Sequence, residues 1–302
     1  METILIRAFG FILIITLGYI FKKSGIITIS ESKVISKIIM NITLPAALAS
    51  GFQGVVINST LVSIIFLGLI TNIIMLFVGF FVSKRKGTVD KVFYMINSSG
   101  YNIGNFTIPF AQAFFPSATI AYLCMFDIGN GIMCLGVSFA IVSSIVSKGS
   151  KFSLKNFINI LFSSPSFVTY MIMFIITSLK IYLPDGAYSI IKLFANANTF
   201  LAMFLIGIVF EINMDWDNAK KILKVIFIRY IGAFIFGAVI FYILPYGIDI
   251  KKILIMAVFS PILSIAPIYC QRLGANYSLA GVINSLCIPI SLVAMTVILM
   301  FF

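Results

Sequence analysis

Apolar runs of similar length recur along the whole chain, each closed by charged or turn-forming residues. They predict helices near 4–21, 33–52, 60–83, 90–113 and 117–147, then 165–183, 187–210, 220–245, 251–271 and 276–301. About 20 apolar residues carry an α-helix across a bilayer, so the pattern predicts ten spans with little chain to spare. The first run resembles a secretory leader, but Gly25 and Lys33 onward show no A-x-A cleavage site, and its length suits a first span. The longest polar stretch, 148–164, carries Lys148, Lys151, Lys155 and several serines and reads as a linker between two halves.

Composition and charge narrow the class. The 302 residues are 61% hydrophobic and 10% charged, with a mean hydropathy of +1.14. Soluble chains are about a quarter charged, so this is the composition of a polytopic membrane protein with no room for a soluble enzyme domain. The net charge of +12 would suit a nucleic-acid surface, yet the basic residues gather at every second loop, as on the cytoplasmic side of membrane proteins. With the N-terminus outside, sixteen of the 21 Lys and Arg are cytoplasmic, and only Arg7, Lys180, Lys192, Lys251 and Lys252 oppose them. Both termini are therefore expected outside the cytoplasmic membrane, and nucleic acid is excluded as a partner. Trp216, between Asp215 and Asp217, is expected at headgroup depth. The absence of His removes His-based acid–base, triad and metal chemistry. Cys124, Cys134, Cys270 and Cys287 form no C-x-x-C and lie in apolar runs, where they read as reduced packing residues.

Five spans on each side of the linker predict an all-α membrane protein with two inverted five-helix repeats, 1–147 and 165–302, joined by the cytoplasmic linker 148–164. An odd number of spans turns the second copy upside down. Inverted repeats supply two packings, open to opposite faces, about a central site. The fourth helix of each half is interrupted. Ser98 to Pro109 reads S-S-G-Y-N-I-G-N-F-T-I-P, and Ser260 to Pro267 places Pro261 and Pro267 in mid-span. Proline removes a helical hydrogen bond, and freed backbone groups cannot face lipid, so both breaks belong in the protein interior or along a wet cavity. Broken helices in matching positions of two halves point to a transporter's substrate site. A third interruption, Asn41 to Pro45 in helix 2, matches Asn196 to Thr199 in helix 7 by repeat position.

The segment Asn102-x-Gly104-Asn105-Phe106-x-Ile108-Pro109 resembles the N-x-G-N-[FYM]-x-L-P crossover signature of the auxin efflux carrier family. Leu44-Pro45-Ala46, Leu205 to Ile208, Leu279-Ala280 and Asn284-Ser285 resemble further parts of the family pattern, in order along the chain. The resemblance implies a fold similar to the bile acid sodium symporters, in which helices 4 and 9 cross at their breaks between a crossover domain and a scaffold. It implies carriage of malate, malonate or related organic anions, as in bacterial members, or of indole-3-acetate, as in plant members. The candidate substrate-binding residues are Asn102, Gly104, Asn105, Pro109, Pro261, Pro267, Pro45 and Asn284. The chain departs from the family at Thr107, where Gly is usual, and in helix 9, where no Asn adjoins Pro261 or Pro267.

Eight of the nine acids lie at helix ends or in loops; the exception is Asp127. It is about ten residues into helix 5, hence about 15 Å deep, with Asn130 one turn later on the same face. A carboxylate at that depth costs at least a few kcal/mol, which makes it a candidate cation ligand or proton carrier; a structural acid held by hydrogen bonds is the alternative. The ion-coupling set is Asp127, Asn130 and Asn105, Asn102 joins them in a candidate Na⁺ site, and the coupling ion is H⁺ or Na⁺, with no other cofactor or metal. Backbone N–H groups at half-helix N-termini would meet the substrate carboxylate. Arg229 and Arg272 read as snorkelling interface anchors. The sequence thus predicts a secondary carrier of a small organic anion working by alternating access in the lipid bilayer, and leaves a homodimer open. The alternatives are an ion channel, which would favour a continuous polar stripe, and an intramembrane enzyme, for which no D-D-x-x-D, G-x-S-x-G or H-E-x-x-H occurs.

Overall fold

The computed structural model describes residues 1–146, 153–211 and 218–301. Asp215, Trp216, Asp217, Lys148 and Lys151 lie outside the described residues. Every predicted apolar run is helical, and the described residues contain no strand beyond one isolated bridge. In chain order the helices are α1 (Glu2–Lys23), α2 (Ile29–Gly51), α3 (Ser59–Val82), α4 (Thr88–Ser98), α5 (Ile108–Ala111), α6 (Ser117–Val146), α7 (Leu154–Phe162), α8 (Pro165–Ser178), α9 (Asp185–Val209), α10 (Ala219–Tyr242), α11 (Ile248–Val258), α12 (Ala266–Arg272) and α13 (Tyr277–Phe301).

Seven of these, α1, α2, α3, α6, α9, α10 and α13, are long and apolar enough to cross a membrane, and α7 with α8 makes an eighth if that pair, bent by 83°, is one span. The protein is an all-helical, multi-pass membrane protein. In hydrocarbon a spanning segment must satisfy its own backbone, which leaves the helix as the default for each run. The runs near 90–113 and 251–271 fall outside the set of long helices because each is split. The first stops at Ser98 and turns helical again at Ile103; the second stops at Val258 and resumes at Ala266.

Lipid supplies no hydrophobic drive between helices, so close packing relies on small residues. A Cβ on Gly68 of α3 would lie 2.2 Å from the Phe126 carbonyl oxygen of α6, and one on Gly129 of α6 would lie 2.0 Å from that of Ile65. The pair α1 and α9 repeats the device, Gly18 against Phe204 at 2.2 Å and Gly207 against Ile15 at 2.0 Å. Gly129→Val should therefore force α3 and α6 apart and destabilise the protein by about 1–3 kcal/mol or more, whereas Gly186→Val, with nothing within 4 Å of its new Cβ, should not. Thermal melts in detergent check this, and equal midpoints for the two variants would contradict it.

Two expectations change in the structure. The linker, in which the sequence places no helix, contains α7, on which Leu154, Phe157, Ile158 and Leu161 share one face, with the Ser153 hydroxyl accepting the Asn156 N–H at the N-terminus. Nine residues give an amphipathic helix but are too few for a span. Nor does the interruption at Asn41 to Pro45 break α2. Residues Ile39–Thr43 form a π turn closed by the Leu44 N–H on the Ile39 carbonyl, and Pro45 lies in the first turn of the resumed α-helix, where its missing N–H costs nothing. The pattern I-x-N-x-T-[LI]-P recurs at Ile103 to Pro109 and makes the same π turn, closed by the Ile108 N–H on the Ile103 carbonyl.

Candidate functional site

The first broken helix leaves its α-helical path after Ser98. Ser99 is extended, and Gly100 takes φ +78°, a left-handed conformation that favours glycine. A Cβ on Gly100 would also lie 2.9 Å from Leu263 Cβ, so the second broken helix approaches here as closely as backbone allows. Tyr101 forms an antiparallel bridge with Ile262, and the Asn102 N–H donates to the Pro261 carbonyl at 3.0 Å. The Asn102 amide donates to Ser264 Oγ at 2.9 Å, and the hydroxyls of Thr107 and Ser260 hydrogen-bond each other. The two breaks thus satisfy one another. Thr107, where the chain departs from the pattern it otherwise resembles, finds its partner beside Pro261 in the second broken helix, the other place of departure.

Polar side chains serve further backbone groups. Asn72 of α3 accepts the Gly100 N–H at 2.8 Å. Asn130 of α6 accepts the Tyr101 N–H at 3.0 Å and donates to the Tyr101 carbonyl at 2.8 Å, pairing with that residue as a neighbouring strand would. Its amide also donates to Asp127 Oδ1 at 2.7 Å, and the Tyr170 hydroxyl of α8 donates to Asp127 Oδ2 at 2.7 Å. A Cβ on Gly104 would lie 3.7 Å from that Oδ2 and 3.3 Å from Leu44 Cδ2. The carboxylate therefore stands beside the resumed part of the first broken helix and next to the π turn of α2, where Thr43 donates to Asn198 Oδ1 of α9 at 3.1 Å.

Arg229 is the largest correction to the sequence reading. It is not an interface anchor: it is 5% exposed and donates to the carbonyls of Ser98 at 3.0 Å, Ser99 at 3.2 Å, Gly100 at 3.0 Å and Ser260 at 3.3 Å. Its guanidinium carbon is 5.6 Å from the centre of the Tyr101 ring. The C-terminal ends of α4 and α11 both present unpaired carbonyls and the negative end of a helix dipole. A guanidinium offers five donors in one plane and stays charged, so one side chain serves both ends. Lying ten residues beyond Ala219, Arg229 is about 15 Å along α10, a depth that could have signalled this role. Arg272 stands apart from the crossing; it is exposed and, with Gly136, Asn156, Ile265 and Tyr269, lines a cavity of about 510 Å³ beside the second break.

Of the predicted residues, Asn102, Gly104, Asp127, Asn130 and Pro261 come together here. Pro109 is buried at the start of α5, its carbonyl accepting from Thr199 Oγ1 at 3.3 Å. Asn105 is half-buried and its side chain makes no hydrogen bond among the described residues. Pro45 and Pro267 occupy first turns of resumed helices. No hydrogen bond among the described residues ties Asn284 to the cluster; its amide oxygen is buried within α13 without a partner. Asn72, Tyr170 and Ser264 were missed, since nothing local distinguishes them from ordinary polar positions. Among the described residues no group of three His, Cys, Asp or Glu could hold a metal ion. Compared with models of known protein families and with curated proteins, the chain matches none.

Proposed function

We propose that the protein is a secondary carrier of a small organic anion, working by alternating access about the crossing of its two broken helices. In this reading the ten apolar runs are ten spans in two inverted five-helix repeats, with both termini outside and the linker cytoplasmic, as in the auxin efflux carriers that the sequence resembles. The observation that carries the reading is the crossing: two interrupted helices from different halves of the chain, joined by the Tyr101–Ile262 bridge and the Asn102–Pro261 hydrogen bond, with an intramembrane acid beside them. A few hydrogen bonds hold these segments where a helix would have a continuous ladder, so they can re-pair as the surrounding helices shift. The amide of Asn105 and the N–H groups that open the segment from Ile103 receive the substrate carboxylate.

Each Asp127 oxygen already accepts from a neutral donor, Asn130 or Tyr170. That favours H⁺ over Na⁺ as the coupling ion. Protonation turns one acceptor oxygen into a donor, which disturbs the bond to Asn130 or Tyr170. Asn130 carries the change to the Tyr101 backbone. Proteoliposomes loaded with malate, malonate, an amino acid or indole-3-acetate should show saturable counterflow of at least one of them, with net uptake driven by a pH gradient and indifferent to Na⁺. Failure of all four, or unitary currents in a planar bilayer, overturns the reading.

A further inference from the structure

A second cavity, of about 210 Å³, lies between α9 and the end of the first broken helix. The chain enters α8 from the linker side and returns along α9, so the start of α9, and this cavity near it, belong to the face opposite the linker. Its lining is polar for so apolar a chain: Ser50, Gln112, Ser117, Lys192, Asn196 and Thr199 contribute to it. Lys192, Asn196 and Thr199 follow one another at steps of four and three, which puts them on one face of α9, and Ser189 begins the stripe one turn earlier. The stripe ends on the first broken helix, where Thr199 donates to the Pro109 carbonyl. Lys192 is the one ionisable residue of the lining, and among the described residues it makes no hydrogen bond or ion pair. Gln112 Oε1 is buried there without a partner, while its Nε2 reaches the Ala47 carbonyl only at 3.5 Å. At the edge, Arg7 donates to the carbonyl of Ala113, another lining residue.

We propose that this cavity is the outer capture site of the carrier, and that it takes a small carboxylate bearing a hydrogen-bond donor on the adjacent carbon. Lys192 binds the carboxylate and Gln112 Oε1 accepts from the donor, a hydroxyl or an amine. A cation without an ion-pair partner favours an anion, and a buried acceptor without a partner calls for a donor. The volume lies below the roughly 300–1,000 Å³ of sites for drug-sized ligands, which suits an acid of a few carbons. The polar stripe then leads the bound acid toward Pro109 and the crossing.

The role in transport rests on the carrier reading; the binding does not, and the two are tested separately. Propionate, lactate and alanine differ only in the group on C2. The full-length protein in nanodiscs should bind labelled lactate or alanine saturably and propionate more weakly; whichever of the first two binds tells hydroxyl from amine. Lys192→Gln should weaken that binding about tenfold or more, Lys192→Arg should restore most of it, and Gln112→Leu should bring lactate or alanine down to the level of propionate. In sided vesicles, Lys192→Gln should raise the KM for uptake from the Lys192 face and leave the KM from the opposite face unchanged, while Vmax/KM changes equally in the two directions, as microscopic reversibility requires. No saturable binding by the wild type, binding indifferent to Lys192→Gln, or KM values that rise equally from both faces would overturn the proposal. Binding that depends on Lys192 without uptake of any acid would uphold the cavity and overturn the carrier reading, and uptake indifferent to Lys192 would do the reverse.

Discussion

Arg229→Met should unfold the crossing. The substitution keeps most of the apolar stem but leaves the carbonyls of Ser98, Ser99, Gly100 and Ser260 without their donor, in a place water does not readily reach. An unpaired buried acceptor costs about 1–3 kcal/mol, and removing one partner from a buried ionic arrangement costs about 3–5 kcal/mol, a large share of the stability of a protein of this size. Arg229→Lys keeps the charge, but a compact ammonium cannot span carbonyls on two helix ends, so it should recover only part of the loss. In Arg229→Ala, free guanidinium ion at low concentration should raise stability by occupying the space left behind, and it should not do so in Arg229→Met, where the methionine fills that space. Thermal melts of the three variants in detergent, with and without guanidinium, read this directly. A wild-type midpoint for Arg229→Met would mean that the side chain serves as the interface anchor its sequence position suggested.

Asp127→Asn should abolish concentrative uptake and spare the fold. The amide has the shape of the acid it replaces, and its oxygen can still accept from Asn130. The Tyr170 hydroxyl, which donates to Asp127 Oδ2 at 2.7 Å, need only rotate to accept instead. The structural cost is then about one hydrogen bond, on the order of 1 kcal/mol. A residue that can no longer gain or lose a proton cannot couple transport to a gradient, so accumulation under a pH gradient should fall to background. Gradient-free exchange should persist, because in the proposed mechanism the loaded protein can still reorient. Exchange should also lose whatever pH dependence the wild type shows through this residue. The two assays on one variant separate coupling from structure, and undiminished accumulation would remove Asp127 from the coupling step. Tyr170→Phe, which deletes one donor and leaves the carboxylate, should weaken uptake without abolishing it.

The sequence by itself determined where the long apolar helices form and where two of them fail, though not the short α7 of the linker. Each apolar run is helical because a chain in lipid must satisfy its own hydrogen bonds, a local requirement that local composition can express. The interruptions at Ser98 to Pro109 and Ser260 to Pro267 were legible for the same reason, as Gly, Asn and Pro act on the backbone that carries them. The depth of Asp127 followed from counting residues. Even the π turns were written locally, in the matching heptads Ile39 to Pro45 and Ile103 to Pro109; a proline read only as a helix breaker hid them.

Only the tertiary structure decided what meets at the breaks. Arg229 reaches Ser98 across 131 residues of chain, Thr107 reaches Ser260 across 153, and Tyr170 reaches Asp127 across 43. Which face of a helix turns inward in so apolar a protein is set by close contacts such as Gly68 and Gly129, where shape decides and the contrast between polar and apolar positions is too weak to tell. The depth of Arg229 along its helix argues against a snorkelling anchor, but a lone Arg in an apolar helix does not show what its guanidinium meets. The answer lies in whether another helix ends against it with its carbonyls unpaired, and that is a property of the packed molecule alone.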